Sequence, residues 1–164
     1  MMIYPYKLIY SLLLLMMYFL PSFAQNEVVV LKKLAQKADV ILIGKVVKKE
    51  SGWNASKTRI FTKTTIKAEE YIKGTYNENL LEVVYPGGEI DGVGEIYTHM
   101  PKFEDNEEAL IFLKKDKKKK TYKVLSGEIG KIKILTDNKS DEKITSSNLQ
   151  LEALKKQIKS YIKR

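Results

Sequence analysis

The chain opens with an apolar block and then settles into shorter, patterned segments. Leu8–Leu20 (LIYSLLLLMMYFL) is a nearly unbroken hydrophobic run, preceded by Lys7 and the free amino terminus. Pro21 interrupts it, and Ser22-Phe23-Ala24 follows with the small-x-small pattern that a signal peptidase reads. The run falls short of the roughly 20 residues needed to cross a bilayer, which predicts cleavage rather than a permanent span. Residues 1–24 are therefore expected to be a signal peptide, with Gln25 as the new amino terminus of an exported protein.

From residue 25 the periodicity changes twice. Over residues 25–37 apolar positions fall at Val28, Leu31, Leu34 and Ala35, spacings that predict a short amphipathic helix capped by Asn26. Val40 to Val47 is β-branched and aliphatic, the pattern of a buried strand, with Gly44 marking a bulge or bend. Residues 51–56 read as a turn. Between Arg59 and Tyr71 polarity alternates, placing Ile60, Thr62, Thr64 and Ile66 on one face of a strand. Leu80–Tyr85 is a third strand, ended by Pro86-Gly87-Gly88 and a glycine-rich loop to Gly94; Glu95–His99 has the look of a short strand. Residues 108–113, 121–125 and 129–135 give three more, with a lysine-rich hairpin tip over residues 114–120. Residues 136–145 read as a polar linker. Ser146 or Ser147 then caps a helix over 146–164, whose apolar stripe is Leu151, Leu154, Ile158, Tyr161 and Ile162. Short strands with regular turns predict a mainly β fold: a small antiparallel, OB-like barrel over residues 38–135 between two flanking helices.

Without the leader, residues 25–164 remain, long enough for one domain with its own core. That core has no staples, because the chain has no cysteine. An exported chain without disulfides fits a bacterial envelope, and lacking thiols it has neither a lipobox nor thiolate chemistry. The formal charge of +9 is almost all lysine, the arginines being only Arg59 and Arg164. Arginine supplies bidentate phosphate and base recognition, so the composition speaks against specific nucleic-acid binding, although Tyr71, Tyr76 and Tyr122 interleave with the lysines. The basic balance favours anionic polymers or surfaces.

Several stretches together resemble a module of secreted bacterial proteins. They are Ala38-Asp39-Val40-Ile41-Leu42-Ile43-Gly44-Lys45-Val46, Ser51-Gly52-Trp53-Asn54, Tyr71-Ile72-Lys73-Gly74, Pro86-Gly87-Gly88-Glu89, Pro101-Lys102-Phe103-Glu104, and Gly127-Glu128-Ile129-Gly130-Lys131. The resemblance covers residues 38–135. In some such proteins the module stands alone, and in others a zinc metalloprotease domain follows it. The alanine-aspartate strand start and lysine-glycine turn are more distantly similar to the OB-fold barrel of netrin-like domains, a group that includes the tissue inhibitors of metalloproteinases. Those inhibitors chelate the target's zinc through an amino-terminal cysteine that this chain lacks, so the resemblance implies the fold and not that mechanism.

No reaction is spelled out by the residues. The glycine loop could receive an anion or a partner's strand, or serve only as a tight reversal; it has no P-loop spacing. Trp53 is either an exposed anchor or a lid on the core. His99, the single histidine, is a candidate base only if Glu89, Asp91, Glu95 or Glu104 gathers around it. The expectation is a non-enzymatic binding module of the envelope or secretome, with no cofactor and no metal. Its partner would be an envelope protein or an anionic polymer, with no nucleic acid and no stable membrane span. Inhibition of, or service to, a secreted metalloprotease is the second reading. The candidate surface is Trp53, Pro86, Gly87, Gly88, Glu89, Gly92, Gly94 and Phe103, flanked by the rest of residues 101–104.

Overall fold

The structure, a computed structural model, describes residues 22–74, 79–137 and 140–162. Nearly all of the expected signal peptide, and Tyr76, lie outside the described residues. Helix α1 spans Ser22–Lys37. It starts before the expected Gln25, so Asn26 lies inside it and is no cap; no Gly or Pro within the segment supplies a stop. The chain divides into a compact unit up to Lys33 and a larger one from Leu34 onward. The first shows the exposed valines Val28, Val29 and Val30 of α1. The second holds every strand.

Those strands are β1 (Val40–Trp53), β2 (Ile60–Lys73), β3 (Leu80–Pro86), β4 (Gly88–Ile90), β5 (Val93–Glu95), β6 (Glu108–Lys115), β7 (Tyr122–Val124), β8 (Lys131–Thr136) and β9 (Lys143–Thr145). Helix α2 is Leu151–Ile162. Five strands close a barrel in the order β1-β2-β3-β7-β6, with β6 returning to pair with β1. The pairings are antiparallel except one: β3 meets β7 in parallel at Val83 and Tyr122. This is the mainly β, OB-like barrel with a helix on either side in sequence.

Closure depends on β1, which pairs with β6 along Val40–Lys45 and with β2 along Ile41–Trp53. A strand this long must coil, and its register with β2 shifts at three places. Gly44 sits at one of them, where a Cβ would lie 2.7 Å from both Ile66 Cγ2 and the Lys67 carbonyl oxygen. Only glycine lets the strands approach so closely.

The unbroken run Val40–Ile43 is buried because both faces of β1 are covered. Val40, Leu42 and Val46 join Ile66, Leu81, Val83, Ile111, Leu113 and Tyr122 inside the barrel. By the pleat, Ile41 and Ile43 point outward, as do Leu110 and Phe112 of β6, yet all four are buried. Helix α2 touches β2 and β9, which bracket β1, β6 and β8 in the sheet. It therefore lies across that outer face, burying Leu151, Leu154 and Ile158. The last turn of α1 adds buried Leu34 and Ala35. Its orphan carbonyls are met by lysines from the barrel: Lys73 Nζ donates to the oxygens of Ala35 (2.9 Å) and Gln36 (3.0 Å), and Lys114 Nζ to that of Lys37 (3.2 Å).

Several boundaries differ from the sequence reading. Ser51–Trp53 belongs to β1, so the turn is confined to the residues after Trp53. The glycine loop is a hairpin, β4–β5, and of the expected strand Glu95–His99 only Glu95 is in one, Ile96–His99 being irregular. The expected linker contains β9, which pairs with β8. Helix α2 starts at Leu151 because Thr145 organises the preceding segment as a turn: its Oγ1 accepts the N–H groups of Ser147 (3.3 Å) and Leu149 (3.2 Å). Such side-chain bonds compete with the helix.

Candidate functional site

At the barrel end where β1 and β3 finish and β2 begins, a cleft of about 490 Å³ opens. Its floor is a hydroxyl pair. Ser51 and Thr62 face each other across β1 and β2 with oxygens 3.0 Å apart, and Thr62 donates to the Gly87 carbonyl at 2.7 Å. Gly88 rests on this pair with φ +133°, and a Cβ there would collide with both hydroxyls. Glycine is required at that position for both reasons.

One wall is the hairpin. Asp91 (φ 50°) and Gly92 (φ 78°) form a two-residue turn with positive φ at both positions, the type I′ geometry that matches strand twist. The hairpin is fastened through Glu95, whose Oε2 accepts the Ile60 N–H (3.1 Å) and the Tyr97 hydroxyl (2.9 Å). That hydrogen bond to a carboxylate raises the Tyr97 pKa above its ordinary value.

The opposite wall is the segment from Met100 to Phe103. Phe103 is buried, its ring 5.7 Å from that of Tyr85 at 41°. Lys131 Nζ sits 5.1 Å from the Phe103 ring centroid, a cation–π contact, and pairs with Glu107 at 2.6 Å. Lys49 Nζ donates to the Phe103 carbonyl at 3.1 Å and lies 3.7 Å from Asp105. Beyond the wall, Glu104 bonds to Lys133, which holds its carboxyl below the usual range.

Of the sequence-derived candidates, Pro86, Gly87, Gly88, Glu89, Gly94 and Phe103 line the cleft. Gly92 lies in the hairpin turn, outside it. Trp53 is also outside, at the end of β1, 38% exposed and paired with Ile60, the residue whose N–H Glu95 holds. His99 is exposed, and its ring nitrogen meets Glu128 at 3.0 Å, a carboxylate the sequence reading did not group with it. Among the described residues no group of three or more His, Asp and Glu side chains is placed to hold a metal ion. Sequence reasoning missed Lys49, Ser51, Thr62, Tyr85, Ile96, Tyr97 and Met100, and it named Glu95 only as a possible neighbour of His99. One signal was available: Asp91-Gly92 between Ile90 and Val93 is a hairpin dipeptide.

The arrangement is suited to holding a ligand against an apolar and aromatic surface with exposed charges, Glu89 and Lys102, at its rim. No protein-family model matches the chain, and no curated protein matches it.

Proposed function

We propose that this chain is an exported, non-enzymatic binding module of the bacterial envelope or secretome, and that the cleft with its exposed rim is the binding surface. The observation that carries this reading is the use made of the cleft's reactive groups. The Ser51 and Thr62 hydroxyls bond each other, Thr62 donates to the Gly87 carbonyl, and one oxygen of Glu95 takes both an N–H and a hydroxyl. They build the walls, while Ile96, 84% exposed, and Lys102 are left facing solvent. An exposed apolar side chain beside aromatic walls suits the apolar centre of a recognition surface.

The test is cross-linked capture of an identified partner from envelope and secreted fractions, with an Ile96→Asp/Lys102→Glu variant alongside. Both positions are exposed, so the variant should keep the wild-type fold by circular dichroism and lose the partner. Equal capture by wild type and folded variant would remove the cleft from consideration. A secreted metalloprotease as the partner would turn the reading toward an inhibitor or accessory domain, the function suggested by the zinc metalloprotease domain that follows the module in some of the secreted proteins it resembles.

A further inference from the structure

We propose that the turn between β6 and β7 is a lysine foot that docks the protein on an anionic lipid surface, with the cleft directed away from that surface. Lys117, Lys118, Lys119 and Lys120 are consecutive and exposed, and none has an ion-pair partner among the described residues. The turn's carboxylate, Asp116, shapes the turn instead: its Oδ1 accepts the Lys118 N–H at 2.9 Å, and its backbone N–H donates to Thr121 at 2.9 Å. Its Oδ2 lies 3.9 Å from Lys123, further along β7. The four lysine charges thus face solvent together.

The barrel extends the patch. Lys45 of β1 is directly opposite Lys67 of β2, and Lys67 is opposite Leu80 of β3. Like charges in facing positions destabilise a sheet, and the carboxylate on the other side of Lys45, Glu108 of β6, is engaged by Lys143 at 2.6 Å, so this pair has a cost that an anionic partner would relieve. Both lysines are exposed without an ion-pair partner among the described residues, and Leu80 is 55% exposed. The parallel contact of Val83 with Tyr122 places the β6–β7 turn beside the start of β3, on the Leu80 side. The cleft lies at the finish of β3, where Pro86 pairs with Phe61. Foot and cleft are therefore at opposite ends of β3.

Lipid fits this patch better than a polymer with fixed phosphate geometry. The patch contains lysine and no arginine, and compact, flexible ammonium groups suit a fluid layer of headgroups rather than bidentate recognition. Leu80 offers an apolar side chain at the same end. Each lysine near an anionic surface is worth about a fivefold gain in partitioning, and four together amount to about two to three orders of magnitude.

The experiment is sedimentation of the protein, made from the full chain with whatever processing it undergoes, with vesicles of phosphatidylglycerol and phosphatidylcholine or of phosphatidylcholine alone. The quantity compared is the ratio of anionic to neutral binding, which removes any contribution of the apolar leader. Wild type should prefer anionic vesicles, and the preference should collapse between about 0.1 M and about 1 M salt, where the screening length falls from about 10 Å to about 3 Å. A Lys117→Gln/Lys118→Gln/Lys119→Gln/Lys120→Gln variant should lose about a hundredfold or more of that preference. A Lys57→Gln/Lys156→Gln variant, with charge removed elsewhere, should keep most of it. No preference in wild type, or equal loss in both variants, would overturn the proposal. So would retention on soluble polyphosphate without vesicle binding.

Discussion

Replacing Lys131 by methionine strands the most deeply buried carboxylate among the described residues. The Glu107 side chain is 1% accessible and Lys131 14%. Glu107 Oε1 lies 2.6 Å from Lys131 Nζ, and Oε2 accepts the Glu104 N–H at 2.8 Å. Methionine preserves much of the length and packing of the stem and deletes the charge. Breaking a buried pair from one side costs about 3–5 kcal/mol, because the remaining charge is uncompensated. Lys131→Met should therefore be destabilised by about 3–5 kcal/mol. Adding Glu107→Gln should recover part of that loss, because the stranded charge is then gone. Urea unfolding measures all three proteins. A Lys131→Met loss no larger than the about 0.5 kcal/mol of an ordinary surface substitution, or a double variant no more stable than Lys131→Met, would refute the reasoning. Because Lys131 also sits against Phe103, the same variant should loosen the cleft wall.

Other perturbations separate structure from surface. Gly88→Ala should cost about 1–3 kcal/mol from the backbone alone, and more once Ser51 and Thr62 are displaced, whereas Gly92→Ala, with φ +78° but open space around it, should cost about 1–2 kcal/mol; thermal melts give the order. Ile158→Ala should cost about 2–5 kcal/mol in chemical unfolding, since Ile158 is fully buried; a negligible loss would mean that α2 is a detached arm. The hydrogen bond from Lys114, followed by the Lys115 N–H, holds the Asp39 pKa below its ordinary value. Its contribution is present above the unfolded value near about 3.9 and is lost as pH falls through the lower folded value, so Asp39→Asn should be less stable than wild type at pH 7 and converge with it in acid; a constant gap down to about pH 2 would contradict this.

Much of the fold was legible because it rests on local pattern. The alternation Ile60, Thr62, Thr64, Ile66 marked the inward face of β2, and all four are buried. The α2 stripe at Leu151, Leu154 and Ile158 marked its packed face. Gly44 marked the point where β1 bends onto β2. The misreadings fall where the deciding partner is distant in sequence. Ser51–Trp53 has turn composition, yet its partners Ile60–Thr62 hold it extended. Lys143–Thr145 is too short to show a period and becomes a strand through pairing with Ile134–Thr136.

The same division runs through the site. The sequence alone marks out Pro86–Gly94 and Pro101–Phe103 as unusual, since glycine and proline constrain the backbone wherever they stand. That the two stretches form opposite walls of one cleft depends on tertiary contacts: Glu95 reaching the Ile60 N–H, Lys49 the Phe103 carbonyl, and Lys131 the buried Glu107. The closing parallel contact of β3 with β7, between Val83 and the sequence-distant Tyr122, left no local trace either. Periodicity records which side of a strand or helix is apolar, but strand neighbours and hydrogen-bond partners are chosen only when the barrel closes. That choice built the cleft and set the lysine turn at the other end of β3.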